Sequence, residues 1–195
     1  DAVIAAANNA VQQRFLTSDD ATKLIIQART SDVLQPSGTV NVTEFAHPQS
    51  SQFYITAVAA EKTSLDGTGA GGGWTRTGEG FFAWPNDNTA PIDTVQVCRL
   101  NAKSGVGSDH VFTANAQECA LLKSDSNWVD EGVAFRVRRP VRGTCPDGHT
   151  LVTSMIRTGA SIASLRHRYV TDPALILPML AQGWKVEDLV FCVLK

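Results

Sequence analysis

The chain has 195 residues, 43% of them hydrophobic, and a formal net charge of −2. That is enough for one large domain or two small ones around a packed core, and the charge argues against a nucleic-acid surface or a polybasic membrane patch. No apolar run approaches the ~20 residues that a membrane-spanning helix needs, and the chain opens at Asp1 without Met or a signal peptide, as a processed or trimmed chain would.

Residues 1–37 read as a helical segment distinct from the rest of the chain. The stretch 2–15 is Ala-rich and amphipathic. Thr17-Ser18-Asp19-Asp20 reads as a helix start, and Leu24, Ile25 and Ala28 form an apolar face behind it. Pro36-Ser-Gly38 closes the segment. Two helices this short are not expected to be stable alone and must pack on the adjoining domain or on a neighbour.

From residue 38 onward a phrase recurs. Trp74, Trp128 and Trp184 lie 54 and 56 residues apart (128−74 and 184−128), and each is followed seven positions later by Phe81, Phe135 or Phe191. The second copy is Trp128-Val-Asp-Glu-Gly-Val-Ala-Phe135 and the third Trp184-Lys-Val-Glu-Asp-Leu-Val-Phe191. Upstream of each Trp is a short helical stretch: Ala57 to Leu65, Ala114 to Leu122, and Asp172 to Leu180. Pro173 suits a first helical position, whereas Pro178 should shorten or kink the third helix. Before each helix stands an aromatic run: Gln52-Phe-Tyr-Ile-Thr56, His110-Val-Phe-Thr113 and His167-Arg-Tyr-Val-Thr171. An apolar strand precedes each run: residues 40–45, 95–100 and 151–157. The first two alternate with period two. The alignment slips by one residue around the Thr.

Self-similarity at a fixed period sets the architecture. The expected fold is α+β: three strand-strand-helix-strand repeats, about 40–90, 91–142 and 143–195, in a pseudo-threefold, trefoil-like arrangement. The Trp residues are expected either to converge near the axis or to anchor each helix to its sheet.

The four cysteines fall in the second and third copies. The local pairing, Cys98–Cys119 and Cys145–Cys192, clamps one repeat each, and disulfides imply an oxidising compartment. A zinc site is the rival reading, although the chain has no C-x-x-C pair, and four buried free thiols are the third.

Residues 40–195 also resemble a secreted proteobacterial three-repeat domain of unknown function, with phrases of the form H-F-Y-T-A-x-x-x-E, then W, then E-G-x-x-F. The likeness rests on Phe53-Tyr-Ile-Thr-Ala57, Trp74-Thr-Arg-Thr-Gly78, Val97-Cys-Arg99, His110-Val-Phe-Thr-Ala-Asn-Ala-Gln-Glu-Cys119, Cys145-Pro-Asp-Gly148, His167-Arg-Tyr-Val-Thr-Asp172 and Ala181-Gln-Gly-Trp184. The resemblance implies export and a noncatalytic accessory role beside other secreted domains. Gln52 stands where the first copy of that pattern has His, and Asp188 where the third has Gly.

No Gly-x-Ser-x-Gly elbow, His-Glu-x-x-His or P-loop occurs. Gly67-Thr-Gly-Ala-Gly-Gly-Gly73 lacks the Lys-Ser/Thr that completes a phosphate loop and reads as a turn. His110 and His167 recur at related positions, and Arg99 and Arg157 recur on the preceding strands. Together with the flat rings of Phe112 and Tyr169 they form a candidate ligand pocket of aromatic and polar groups. The alternative is that these residues tie strands together. His47 and His149, in Pro- and Gly-flanked loops, read as plain surface residues. No cofactor and no metal is expected. The leading expectation is a secreted, extracellular or periplasmic, noncatalytic binding or attachment module for a cell-surface or extracellular polymer, with glycan as its first ligand class. A structural or assembly domain of a larger secreted protein comes second. A hydrolase using His110 or His167 with a nearby acid comes third.

Overall fold

Three cross-strand pairs organise the interior: Val42 faces Phe81, Val97 faces Phe135, and Val152 faces Phe191. Five of these six side chains are wholly buried and Phe81 nearly so. The three rings meet pairwise edge to face, with centroids 5.7 Å (Phe81–Phe135), 6.1 Å (Phe81–Phe191) and 6.0 Å (Phe135–Phe191) apart. This is the geometry that ring quadrupoles favour. The computed structural model describes residues 2–29, 31, 33, 35–67, 72–103, 109–158 and 165–194. Most of the glycine-rich run 67–73 lies outside the described residues.

The fold is mixed α+β and mostly sheet. Two helices, α1 (Ala2–Gln12) and α2 (Ser18–Arg29), lead into β1 (Val40–His47), β2 (Gln52–Thr56), α3 (Ala59–Asp66) and β3 (Thr75–Ala83). The same order recurs in β4 (Val95–Ala102), β5 (His110–Thr113), α4 (Ala116–Ser124) and β6 (Trp128–Val137). It recurs once more in β7 (His149–Arg157), β8 (Arg166–Val170), a 3-10 turn at Pro173–Leu175, α5 (Ile176–Ala181) and β9 (Lys185–Leu194). Pro173 opens the 3-10 turn, and α5, which contains Pro178, is only six residues long. Thr17 caps α2, its Oγ1 accepting a hydrogen bond from the Asp20 backbone N–H at 3.1 Å. Helix α2 packs against β3.

All strand pairs are antiparallel. They form a six-stranded sheet, β2-β1-β3-β9-β7-β8, and a three-stranded sheet, β5-β4-β6. The sheets therefore do not divide into three equal parts, as a strict trefoil would. The third strands still meet in a ring: Phe82 pairs with Leu194, Trp84 with Arg136, and Arg138 with Cys192. These contacts make the barrel nearly closed and cover the edge at β6, while β2, β5 and β8 stay at the ends of their sheets. Each third strand is also bulged against its first strand. Gly78 and Gly132, four residues after their Trp, have φ of 85° and 86°, a left-handed conformation that glycine adopts without strain. In the third strand Asp188 occupies the equivalent place, and its carboxylate accepts the following Leu189 N–H at 2.7 Å.

The tryptophans do not converge on the barrel axis. Trp128 lies with Leu100, Val111 and the Cys98–Cys119 bridge, with Leu122 of α4 beside it. Trp184 packs with Met155, Val170 and Met179 of α5. Each thus anchors a helix to its sheet, while the axis belongs to phenylalanine. Trp74, more open, meets Tyr54 edge on at 6.3 Å. Cys98 is joined to Cys119 and Cys145 to Cys192, and no free cysteine remains among the described residues. The first bridge staples α4 to β4, and the second staples the loop before β7 to β9.

Phe135→Ala and Trp128→Ala should each cost about 3–5 kcal/mol in urea denaturation. Leu177→Ala, at a position 75% exposed, should stay within about 0.5 kcal/mol. A loss below about 1 kcal/mol at Phe135 would remove the ring triangle from its central place.

Candidate functional site

Strand register assigns equivalent positions without reference to the aromatic phrase. One step past Val42, Val97 and Val152, the pairs are Thr43↔Thr56, Cys98↔Thr113 and Thr153↔Val170. The equivalent of Thr56 and Thr113 is therefore Val170 and not Thr171, which resolves the one-residue slip. In the first two units the Thr hydroxyl donates to a helix carboxylate, Thr56 to Glu61 and Thr113 to Glu118. Val170 has no hydroxyl and joins an apolar cluster that Leu175 packs against.

The same register aligns Phe53, His110 and His167 on the second strands. On the first strands, Arg99 aligns with Glu44 and Ser154. Arg157 aligns with His47, three positions further on, and so belongs to the opposite face of its strand. Arg99 and Arg157 are thus not equivalent. On the third strands, Thr77, Glu131 and Glu187 stand three residues after their Trp.

These positions build one polar seam in each unit. Thr77 Oγ1 donates to Glu44 at 2.7 Å, Arg99 Nε lies 2.9 Å from Glu131, and Ser154 Oγ donates to Glu187 at 2.7 Å. His110 Nε2 stands 3.5 Å from Glu131, and His167 Nε2 stands 3.3 Å from Glu187.

Each seam also takes a partner from the next unit round. Arg168 grips Glu44 with two bonds of 2.9 Å, and the two side chains are only 12% and 2% exposed. Arg99 donates to the Tyr54 hydroxyl at 2.8 Å and pairs with Glu61 at 2.9 Å. His167 Nδ1 lies 2.5 Å from Asp109, whose other oxygen accepts the His167 backbone N–H at 3.0 Å. Tyr169, buried, accepts the Phe112 backbone N–H at its hydroxyl, 2.7 Å away.

The electrostatics of the two histidines run in opposite directions. Burial pushes the His167 pKa down, but the hydrogen bonds and charges of Asp109 and Glu187 more than reverse this, to about 9. Burial also pushes the His110 pKa down, Arg99 adds to the effect, and Glu131 only partly opposes it. Burial raises the Tyr54 hydroxyl far above its ordinary range. His167 is held as an imidazolium between two carboxylates, and the Ser154 hydroxyl donates to Glu187 rather than to the imidazole. That geometry makes a tie between the strands.

Of the six residues read as a pocket, Tyr169, Phe112 and His167 are buried, and Arg99 and His110 are engaged in a seam. Arg157 lies apart, its guanidinium carbon 5.2 Å from the Trp184 ring centroid. It borders a cleft of about 210 Å3 beside Trp184, Phe53, Gln52 and Gln182. Sequence reading assigned no bonding role to Glu44, Asp109, Glu131 or Glu187, although Glu131 and Glu187 sit at the same place in the Trp phrase and Glu44 stands where the second unit has Arg99.

His47 and His149 are not plain surface residues. His47 meets Trp74 edge on at 5.4 Å, and its Nε2 lies 3.2 Å from the Gly72 carbonyl. His149 lies against Trp84 and accepts from Arg138 at 3.2 Å. Among the described residues no group of three or more His, Cys, Asp or Glu could hold a metal ion, and no helix is long and apolar enough to cross a membrane.

The fold and seams define a disulfide-stapled, mostly-β domain, and two disulfides suit an extracellular or periplasmic compartment. The chain matches the family described as a domain of unknown function (DUF5648) over residues 6–138 and again over 41–194, and it belongs to that family. No curated protein and no solved structure matches it.

Two measurements test the seams. The tie at His167 has a folded pKa above the ordinary 6.5, so its stabilisation is complete below about pH 6.5 and is lost as pH rises through about 9. The melting temperature should therefore fall between about pH 7 and pH 9.5, and His167→Gln should flatten that fall. An unchanged pH profile would contradict the ion pair. Glu44→Gln leaves Arg168 buried without its countercharge and should cost about 3–5 kcal/mol.

Proposed function

We propose that this protein is a secreted, noncatalytic binding module for an extracellular polymer, with glycan as its ligand class, and that the cleft beside Trp184 is where it binds. We read its three units as copies of one repeat about a pseudo-threefold axis in a domain spanning 38–195, preceded by the helical segment 1–37. Two observations support the repeat. The family matches end at 138 and 194, an offset of 56 that equals the spacing of Trp128 and Trp184 (194−138 and 184−128). The Val–Phe pairs and polar seams also recur in the same order.

The observation that carries the binding reading is the contrast between Arg157 and the other recurrent polar residues. Arg99, His110, His167 and Arg168 are engaged in seams that hold units together, whereas no carboxylate pairs with Arg157 among the described residues. A basic group on an aromatic plate, at the edge of a cleft with side-chain amides, is a recognition surface rather than a tie.

An assembly role without a small ligand is the second reading. It is favoured by the apolar groove of about 530 Å3 between α1 and α2, lined by Val3, Leu16 and Leu24.

Screening the intact chain on an array of extracellular polysaccharides should give weak retention, millimolar per site, strengthened on multivalent surfaces. His110→Ala should leave that retention unchanged. Failure to retain any polymer would pass the function to the assembly reading.

A further inference from the structure

We infer that the cleft beside Trp184 is built for a carboxylate-bearing sugar, a uronic acid unit of an acidic polysaccharide, with Arg157 as the group that reads the carboxylate. The inference rests on the binding reading above and specifies its ligand.

The charge balance comes first. Two guanidinium groups border the cleft, and none of its lining residues is acidic. Arg168 spends its charge on Glu44, with Nε and Nη2 both at 2.9 Å, while its guanidinium carbon stands 4.2 Å from the Phe53 ring centroid. Among the described residues, the partner of Arg157 is the face of Trp184, and no carboxylate pairs with it. The cleft therefore carries one uncompensated positive charge on a half-buried side chain.

The geometry of that charge is the second point. The Arg157 guanidinium lies over the indole face, and among the described residues no carboxylate pairs with its N–H groups. Those groups match a carboxylate with two parallel bonds. Contact with the ring restricts the side chain beforehand, so less rotamer freedom is lost on binding.

Size and the remaining lining select the sugar. At about 210 Å3 the space is smaller than a drug-sized pocket and suits a single ring of a longer chain. Gln182 is exposed at the mouth beside Trp184, and its amide can both donate to and accept from hydroxyl groups. Phe53, edge on to Trp184 at 5.8 Å, adds an apolar wall for the C–H face of a ring. A carboxylate, hydroxyls and an apolar face together describe a uronate better than an acidic peptide side chain, which lacks the last two.

The test is titration calorimetry of the intact, oxidised chain with trigalacturonate, its methyl ester, and polyglutamate. Trigalacturonate should bind and weaken as salt is raised, and the ester should bind at least about tenfold more weakly, the worth of one charged hydrogen-bonded pair. Arg157→Gln should weaken trigalacturonate binding by a similar factor with the melting temperature unchanged, Arg157→Lys by less, and Lys103→Gln not at all. If Arg157→Gln does not fold, Arg157→Lys and Gln182→Ala carry the test, and both must weaken binding. Equal binding of acid and ester would overturn the carboxylate assignment while leaving the polymer-binding reading standing. Polyglutamate binding as strongly as trigalacturonate would overturn the sugar. Undiminished binding by a folded Arg157→Gln would overturn the site. Failure of every polysaccharide, neutral or acidic, would remove both the inference and the reading beneath it.

Discussion

A charge cannot be left alone where the edges of three units close on one another, and this constraint shapes the molecule outside its apolar centre. Each first strand brings a polar side chain, Glu44, Arg99 or Ser154, to the seam with a neighbouring unit. Each is met by a residue of its own third strand, Thr77, Glu131 or Glu187. The seam is then completed from the next unit: Arg168 reaches Glu44, Tyr54 and Glu61 take Arg99, and Asp109 takes His167. The pattern runs in one direction round the barrel, from third unit to first, first to second, and second to third. The chemistry differs at every seam while the positions stay the same. A swap of one partner between seams would leave a charge without its counterpart, so the ties specify which strand lies beside which.

The apolar centre is less particular. Val–Phe pairs recur three times, and the ring triangle they form is buried, its rings meeting edge to face. Apolar contact of this kind is non-directional and drives the units together, but it does not order them. The second-strand residues add shape to it. Phe112 stacks near Phe135, and Tyr169 lies edge on to Phe112 at 5.4 Å, with its hydroxyl turned to the Phe112 backbone. Closure by single bridges between third strands, rather than by full ladders, leaves the six-stranded and three-stranded sheets distinct.

Function separates from folding by elimination. Polar residues that recur in register are consumed by the seams. Arg157 lies off that register, on a different face, and no carboxylate pairs with it among the described residues. The contrast explains what recurrence marks: a repeated residue serves what every unit needs, and every unit needs to hold its neighbour.

Much of the architecture was legible in the sequence, because it rests on local periodicity. The spacing from Trp to Phe, the period-two strands, the Thr17 helix start and the prolines at 173 and 178 each act within a few residues, and the elements stand where these signals put them. Cysteine placement within single units likewise led to the local disulfides, since chain proximity favours them. What sequence could not carry was anything set between units. The equivalence of Val170, rather than Thr171, to Thr113 follows from strand register and not from the shared Thr. The face to which Arg157 belongs depends on that same register. The countercharges Glu44, Asp109 and Glu187 lie 124, 58 and 20 residues from the side chains they hold. Strand pairing within the third unit brings Glu187 to His167, and closure of the barrel brings Glu44 to Arg168 and Asp109 to His167, so tertiary structure alone decided which polar residues are ties.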